Sequence, residues 1–212
     1  GDYAVVGAGG GDDGGTYSGA AYIFTRSGTS WSQQAKIVAS DPTNGDEFGY
    51  SVSIDGDYVI AGAPANRNNA TVAGMAYIFR LDSKQQAKLV ADDAADSDQF
   101  GGSVSISGDY AIAGSQFDDN VGLNSGSAYI FIRDGTSWSQ QAKLVADDAA
   151  GSDYFGWSVS ISGDYAVVGA YGDDDGGSQS GSAYVFDRSI GWNLVAKLTE
   201  SGAAAPANSV SR

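Results

Sequence analysis

One register of repeated motifs runs along the whole chain and constrains its fold more than any other feature. The tripeptide Gly-Asp-Tyr recurs at steps of 55, 52 and 55 residues, beginning at Gly1, Gly56, Gly108 and Gly163. The motif Gly-Xaa-Ala-Tyr-(Ile/Val)-Phe keeps the same steps, beginning at Gly19, Gly74, Gly126 and Gly181. A fixed period of this length indicates an array of similar units, each of which buries its apolar faces on its neighbours.

Each unit is predicted to contain four short strands separated by turns. In the second unit we assign strand a to Ser51–Ile54, strand b to Tyr58–Ala61, strand c to Ala76–Phe79 and strand d to Gln85–Val90. Four strands in about 53 residues are typical of a propeller blade. We therefore predict an all-β β-propeller with blades at about 1–47, 48–99, 100–154 and 155–200, forming either a four-bladed ring or part of a larger propeller.

The two ends of the chain are offset against the repeat. The chain opens on strand b, and the first unit therefore lacks a strand a of its own. Residues 201–212 read as a linker followed by a closing or donated β-strand, since Ser209, Val210 and Ser211 match the start of strand a. This segment is expected to complete the first blade, to enter a neighbouring molecule, or to begin a further blade.

The composition excludes several classes of function. The formal charge is −15, and the chain has no His and no Cys, which excludes disulfides, thiolate or imidazole zinc sites, and catalysis by Cys or by a Ser–His pair. Nucleic acid is not an expected partner, because binding phosphates requires clustered Lys and Arg. No apolar run is long enough for a membrane helix. The acids recur in every unit and none breaks the repeat, so we predict no enzyme and no catalytic residues.

The segment Phe48-Gly-Tyr-Ser-Val-Ser-Ile54, followed by Gly62-Ala-Pro64, resembles the FG-GAP repeat of integrin α-chain propellers and their bacterial relatives. The third and fourth units carry variants that begin at Phe100 and Phe155. This resemblance covers essentially residues 1–200 and implies a β-propeller, usually seven-bladed. It also implies an extracellular or cell-surface protein that is used for binding. No signal peptide is present and the chain does not begin with Met, so we expect a processed form or a fragment of a secreted protein, without its targeting signal.

The acidic residues are expected to gather at one end of the blades. In a propeller the b–c and d–a loops emerge on the same side, and these loops carry 18 of the 26 acids. The basic residues are expected elsewhere, with Lys36, Lys88, Lys143 and Lys197 on strand d and Arg26, Arg80, Arg133 and Arg188 at the end of strand c. An aspartate before each Phe-Gly, at Asp46, Asp98 and Asp153, is predicted to accept backbone N–H bonds and fix the turn into strand a.

Oxygen ligands alone remain available for a metal, and they suit Ca²⁺. The resemblance implies cation loops in the b–c connection. The candidate ligands there are Asp12, Asp13, Asp118, Asp119, Asn120, Asp173, Asp174 and Asp175. The alternative is that these are solvated turn aspartates without a metal.

Two aromatic positions are candidate ligand contacts. Tyr50 and Trp157 follow Phe-Gly at a position that is glycine in the third unit, and this variation favours contact with a ligand. We therefore expect a non-catalytic binding or adhesion propeller, assisted by Ca²⁺, whose partner is a protein or glycan at the cell surface. The alternative is a structural subunit that assembles with itself into filaments or a surface layer by donating its C-terminal strand.

Overall fold

The computed structural model describes residues 1–67 and 72–199, and β-strands account for nearly all of its regular structure. The strands, in chain order, are β1 (Tyr3–Ala8), β2 (Ala20–Ser27), β3 (Ser30–Ile37), β4 (Val52–Asp55), β5 (Tyr58–Ala63), β6 (Met75–Arg80), β7 (Gln85–Leu89), β8 (Ser103–Ser107), β9 (Tyr110–Ser115), β10 (Ser127–Asp134), β11 (Ser137–Leu144), β12 (Phe155–Ser162), β13 (Tyr165–Ala170), β14 (Ser182–Asp187) and β15 (Asn193–Leu198). A 3-10 turn, Arg188–Ile190, precedes the last strand. None of the described residues forms a helix long and apolar enough to cross a bilayer.

The strands form four antiparallel sheets in which spatial order follows chain order. The first sheet is β1-β2-β3, and the others are β4-β5-β6-β7, β8-β9-β10-β11 and β12-β13-β14-β15. Such four-stranded meanders are the blades of propellers, and the predicted all-β class and four blades are thereby confirmed. Among the described residues the first sheet has three strands, and its β1 corresponds to strand b of the repeat. Ser209, Val210 and Ser211 lie outside the described residues, and their role stays a prediction.

The hairpin between strands a and b follows from the Gly-Asp turn. Gly108 has φ 57°, a left-handed conformation that glycine adopts without a steric penalty. Asp109 completes this two-residue connection between β8 and β9. The same turn recurs at the equivalent positions because the sequence repeats it.

Consecutive sheets pack face to face along the chain. Strand β1 contacts β4, β4 and β5 contact β8, and β8 and β9 contact β12. A buried hydrophobic cluster lies at each of these junctions. Within the described ranges no extensive strand packing joins the first sheet to the fourth. We call the face of a sheet that packs on the next sheet its following face, and the opposite face its preceding face.

The Phe-Gly turn enters a space that two glycines of the preceding sheet leave open. The backbone of Phe100 bridges to Gly74 of the second sheet, and its ring is fully buried, with its centroid 5.5 Å from that of Tyr129. A Cβ on Gly114 would overlap the carbonyl oxygen of Gly156 in the next sheet. These close approaches explain why the repeat needs glycine both in the Phe-Gly turn and at the end of strand b.

Serine hydroxyls on strand a connect neighbouring sheets. Ser103 Oγ accepts a hydrogen bond from the Val159 backbone N–H at 3.0 Å, and Ser105 Oγ accepts one from Ile161 at 3.2 Å. Ser51 makes the equivalent contact one sheet earlier. The alternating Ser-Val-Ser pattern therefore serves two contacts, because the apolar residue packs in the sheet core while the serines bond to the next sheet.

Candidate functional site

The b–c and d–a loops lie at one end of the sheets, which we call the loop end. At this end the third and fourth blades each carry a buried tyrosine and a lysine that meet acids from two loops. The antiparallel register pairs Tyr129 with Lys143 on β10 and β11, and Tyr184 with Lys197 on β14 and β15. Because paired residues project from the same face of a sheet, each ammonium lies beside a ring, with Lys143 Nζ 5.3 Å from the Tyr129 centroid.

In the third blade, the tyrosine and the lysine connect two carboxylates. The Tyr129 hydroxyl lies 2.6 Å from Asp118 Oδ2 and 2.9 Å from Asp93 Oδ1. Lys143 Nζ lies 2.6 Å from Asp93 Oδ2 and 3.0 Å from Asp118 Oδ2. Asp118 belongs to the b–c loop and is buried, whereas Asp93 belongs to the d–a loop that leads into this blade. The cluster therefore ties two loops to the sheet.

The fourth blade repeats this cluster and adds a third acid. The Tyr184 hydroxyl lies 2.8 Å from Asp148 Oδ1 and 2.7 Å from Asp173 Oδ2. Lys197 Nζ lies 2.6 Å from Asp148 and 2.9 Å from Asp173. It also lies 2.5 Å from Asp175 Oδ2. Ligand oxygens of these three aspartates lie within 4.8 Å of one another, and the ammonium lies among them.

The first two blades carry versions of this cluster that have fewer acids. In the second blade Asn66 Nδ2 lies 3.4 Å from the Tyr77 hydroxyl, in the position of the buried aspartate. Lys88 Nζ contacts Asp41 at 2.6 Å. In the first blade Lys36 pairs with Asp13. Charge in the cluster thus increases from the second blade to the fourth.

The expectation that the strand-d lysines lie away from the acids is wrong. All four contact a loop aspartate, because strand d ends beside these loops and a lysine side chain is long enough to reach them. The strand-d lysines therefore neutralise part of the negative charge at the loop end.

The electrostatics of the clusters favour the ionised forms. Burial raises the pKa of Asp173, but hydrogen bonds from Lys197, Tyr184 and Ser182 outweigh it, and the pKa is below its usual value. Asp93 and Asp148 show the same balance. Burial also acts to lower the pKa of Lys197, yet its three carboxylate partners raise it well above the ordinary value. Asp93, Asp148 and Asp173 are consequently ionised at neutral pH, and Lys197 carries its positive charge.

The aspartates before Phe-Gly have a separate structural role, as the sequence predicts. Asp98 Oδ2 accepts the Ala95 N–H at 2.7 Å, and Asp153 Oδ2 accepts the Ala150 N–H at 2.6 Å. Asp46 accepts the N–H of Thr43 at 2.7 Å. Burial is the main cause that raises the pKa of Asp98 to about 6, with Asp118 nearby as a further cause.

The predicted cation ligands are distributed over separate arrangements. Asp173 and Asp175 meet Asp148, a d–a loop residue that was not among the predicted ligands. Asp12 accepts the N–H of Tyr17, and Asp119 accepts the N–H of Asn124, so both help to close their own b–c loops. Asn120 Oδ1 lies 3.4 Å from Lys143 Nζ. Asp174 contributes a backbone carbonyl to the turn at Gly177.

The donor set determines how well Ca²⁺ fits these loops. Three carboxylates converge only in the fourth blade among the described residues, and carboxylate oxygens are suitable Ca²⁺ ligands. Lys197 already provides a positive charge at their centre. A Ca²⁺ ion would thus be held by Asp148, Asp173 and Asp175 in exchange for the ammonium.

The two predicted aromatic contacts are exposed at the loop end. Tyr50 is 60% exposed and Trp157 is 47% exposed. The Trp157 ring lies 4.5 Å from that of Tyr171, which stacks on Tyr154 at 5.1 Å. The third blade has Gln99, Gly102 and Gln116 at these three positions. The fourth blade therefore carries an aromatic cluster that departs from the repeat, and of its three members only Trp157 was predicted from the sequence.

Comparison with known proteins agrees with this architecture. A profile of the FG-GAP repeat matches residues 31–79, 84–131 and 138–186. Each matched segment runs from strand d of one blade to strand c of the next. No curated protein sequence matches the chain. The matched segments cover more than half of the residues, and the chain belongs to the FG-GAP repeat family.

Proposed function

We propose that this chain is a non-catalytic binding or adhesion module that acts outside the cell or at its surface. Its ligand, a protein or glycan of a cell surface, contacts the loop end. The observation that carries this proposal is the aromatic cluster of Tyr154, Trp157 and Tyr171 on an otherwise regular framework, in which Trp157 and Tyr171 are exposed. Exposed aromatic side chains held by a rigid scaffold supply large contact areas at a low entropic cost.

A cell-binding assay tests this function. Fluorescently labelled chain is applied to intact cells before and after treatment with protease or with periodate, which separates protein ligands from glycan ligands. We expect the Trp157→Ala variant to bind at least tenfold more weakly. Tyr3→Ala is the matched control, because Tyr3 is 42% exposed but lies in the first blade. Equal binding by both variants would show that the aromatic cluster is not the contact.

Calcium assistance is the finer part of the proposal, and we place it in the fourth blade. Because Lys197 competes for the same carboxylates, Lys197→Met should bind Ca²⁺ more tightly than the unmodified chain. Lys143→Met is the control, since the third blade offers two acids and an amide to that lysine. Calorimetric titration of chelator-treated protein measures the difference. Absence of heat in all three proteins would exclude calcium assistance.

Self-assembly is a second candidate function, and one observation favours it. Strand β1 pairs with β2 on one side and, within the described residues, with no strand on the other. An unpaired edge can accept a strand from another chain by main-chain hydrogen bonding. Ser209, Val210 and Ser211 are the proposed donated strand.

Deleting residues 201–212 tests strand donation. We expect assemblies of the intact chain to dissociate into monomers of the shortened chain, as measured by light scattering after size-exclusion chromatography. A monomer that only loses thermal stability would instead indicate that the segment closes the first blade of its own chain.

A further inference from the structure

A contact between tyrosine, tryptophan and arginine recurs where sheets meet. Tyr58, the first residue of β5, lies on the following face of the second sheet. The Trp138 ring of the third sheet packs on it edge to face at 6.3 Å, and Arg133 lies 4.6 Å from its centroid. Asp109 pairs with this guanidinium and fixes it over the ring.

The next junction repeats the contact with the same residue types. Tyr110 of the third sheet packs against Trp192 of the fourth at 5.8 Å, and Arg188 lies 4.6 Å from the Tyr110 centroid. Asp164 pairs with Arg188. Edge-to-face aromatic packing and a cation over a ring are both attractive, so this contact is a regular part of the interface between blades.

The two terminal sheets expose the two halves of this contact. Tyr165 occupies the equivalent of Tyr58 and Tyr110 on the fourth sheet, and it is 53% exposed. On the first sheet Trp31 is 48% exposed, with Arg26 lying 5.9 Å from its ring. Asp2 pairs with Arg26 at 2.8 Å, as Asp109 does with Arg133.

The apolar surroundings of the two halves are also exposed. On the following face of the fourth sheet Leu198 is 49% exposed, whereas Leu144, its equivalent in the third sheet, is 3% exposed. On the preceding face of the first sheet Val6 is 52% exposed, whereas Ala61, its equivalent, is fully buried. The two faces thus have the composition of a sheet interface, and among the described residues no further sheet covers them as at the inner junctions.

We propose that these faces bind each other between two copies of this chain, with Tyr165 of one copy packed against Trp31 and Arg26 of the next. The partner is a second copy because one face offers the tyrosine and the other offers the tryptophan and arginine. The chain already joins these residue types at its own junctions. The contact joins unlike surfaces, so it propagates head to tail into a ring or a filament. Binding of a second copy leaves Trp157 at the loop end accessible. Tyr50, its equivalent in the second sheet, is 60% exposed although the third sheet packs beside it.

This contact rests on the self-assembly proposed above, because its partner is also a second copy of the chain. It does not depend on strand donation. If deletion of residues 201–212 leaves association intact while Trp31→Ala weakens it, strand donation fails and this contact stands. If the deletion abolishes association and Trp31→Ala leaves it unchanged, this contact fails and strand donation stands.

Sedimentation velocity over a range of concentrations measures the contact. We expect Trp31→Ala and Tyr165→Ala each to weaken association about tenfold. Tyr3→Ala is the matched control, because Tyr3 occupies the same repeat position and is 42% exposed, but its neighbouring sheet carries no tryptophan at the equivalent position. A wild-type chain that stays monomeric at all concentrations, or equal losses for all three variants, would overturn the proposal.

Disulfide cross-linking tests which residues face each other in the contact. The chain has no native cysteine, so a disulfide can form only between the introduced residues. A mixture of the Tyr165→Cys and Trp31→Cys variants should form a disulfide-linked dimer on mild oxidation, and each variant alone should not. A linked dimer of Tyr165→Cys alone would mean a symmetric contact and would contradict head-to-tail binding. A linked monomer of the double variant, with no dimer, would mean that the faces meet within one chain and would also refute the proposal.

Discussion

Tyr129 and Lys143 are paired across β10 and β11, and both side chains end at the same oxygen, Oδ2 of the buried Asp118. The ammonium is 3.0 Å from that oxygen and the hydroxyl is 2.6 Å from it. A carboxylate that is removed from water needs such partners. The loop-end clusters thus hold the loops to the sheets. A cation or ligand that binds the same carboxylates must compete with the hydrogen bonds and ion pairs that the tyrosines and lysines already make.

We expect Lys143→Met to lower the free energy of unfolding by about 2 kcal/mol, because it leaves the charge of buried Asp118 without its cation. Lys88→Met should cost less than about 1 kcal/mol, because the second blade has neutral Asn66 at that place and Asp41 is half exposed. Urea denaturation at pH 7 measures both values. Equal losses would contradict the assigned role of the buried aspartate.

Two equivalent glycines should respond differently to the same substitution. A Cβ on Gly114 overlaps the Gly156 carbonyl oxygen of the next sheet, whereas a Cβ on Gly169 meets the rotatable hydroxyl of Ser158. We expect Gly114→Ala to cost about 3 kcal/mol and Gly169→Ala less than about 1 kcal/mol. Thermal unfolding followed by calorimetry would show this difference, and similar melting temperatures would argue against close packing of the sheets.

The serine contacts between sheets can be measured by a matched pair of double variants. Replacing Ser103 and Ser105 by alanine removes two hydrogen bonds to the fourth sheet and should cost about 2 kcal/mol in total. Replacing Ser158 and Ser160, which occupy the same positions on the exposed terminal face, should change stability little. Chemical denaturation of both variants provides the comparison. A comparable loss at the terminal face would show that the serines act within their own sheet.

Asp98 should make stability depend on pH in a direction opposite to that of the salt-bridged acids. Its pKa is about 6 in the folded chain and about 4 in an unfolded chain. Between these values the folded state holds a proton that the unfolded state has lost, and stability therefore falls as the pH rises from about 4 to about 6. Above about pH 6 the penalty is constant.

The Asp98→Asn variant tests this relation. It keeps an oxygen that can accept the Ala95 N–H, so it should be more stable than the unmodified chain at pH 7 by about 1 to 2 kcal/mol. Near pH 4 the two proteins should be equally stable. Asp98→Ala is the control, because it removes the acceptor together with the charge and should lose stability at pH 4. Denaturation curves at a series of pH values provide the measurement, and a constant difference across the series would refute the shift.

The repeat in the sequence was enough to determine the local structure and the architecture. Four copies of the same strand and turn motifs predict four similar sheets, because each strand pattern alternates and each Gly-Asp turn allows one tight hairpin. The role of Asp98 before Phe-Gly was also predictable, since it bonds to a backbone N–H only three residues away. Contacts of this range depend on local backbone geometry, which the sequence specifies directly.

Only the tertiary structure decided which distant residues meet. Lys143 contacts Asp93 over 50 residues, and Ser103 bonds to Val159 over 56 residues. The alternation along a strand determines the face on which a side chain lies, but not the loop or sheet opposite that face. The sequence pattern puts the lysines on strand d and the acids in loops, which predicts that they lie apart. In the structure the four-carbon side chain of a lysine at the end of a strand reaches the neighbouring loops. The charge of −15 was readable in the sequence, and its internal neutralisation required the packed sheets.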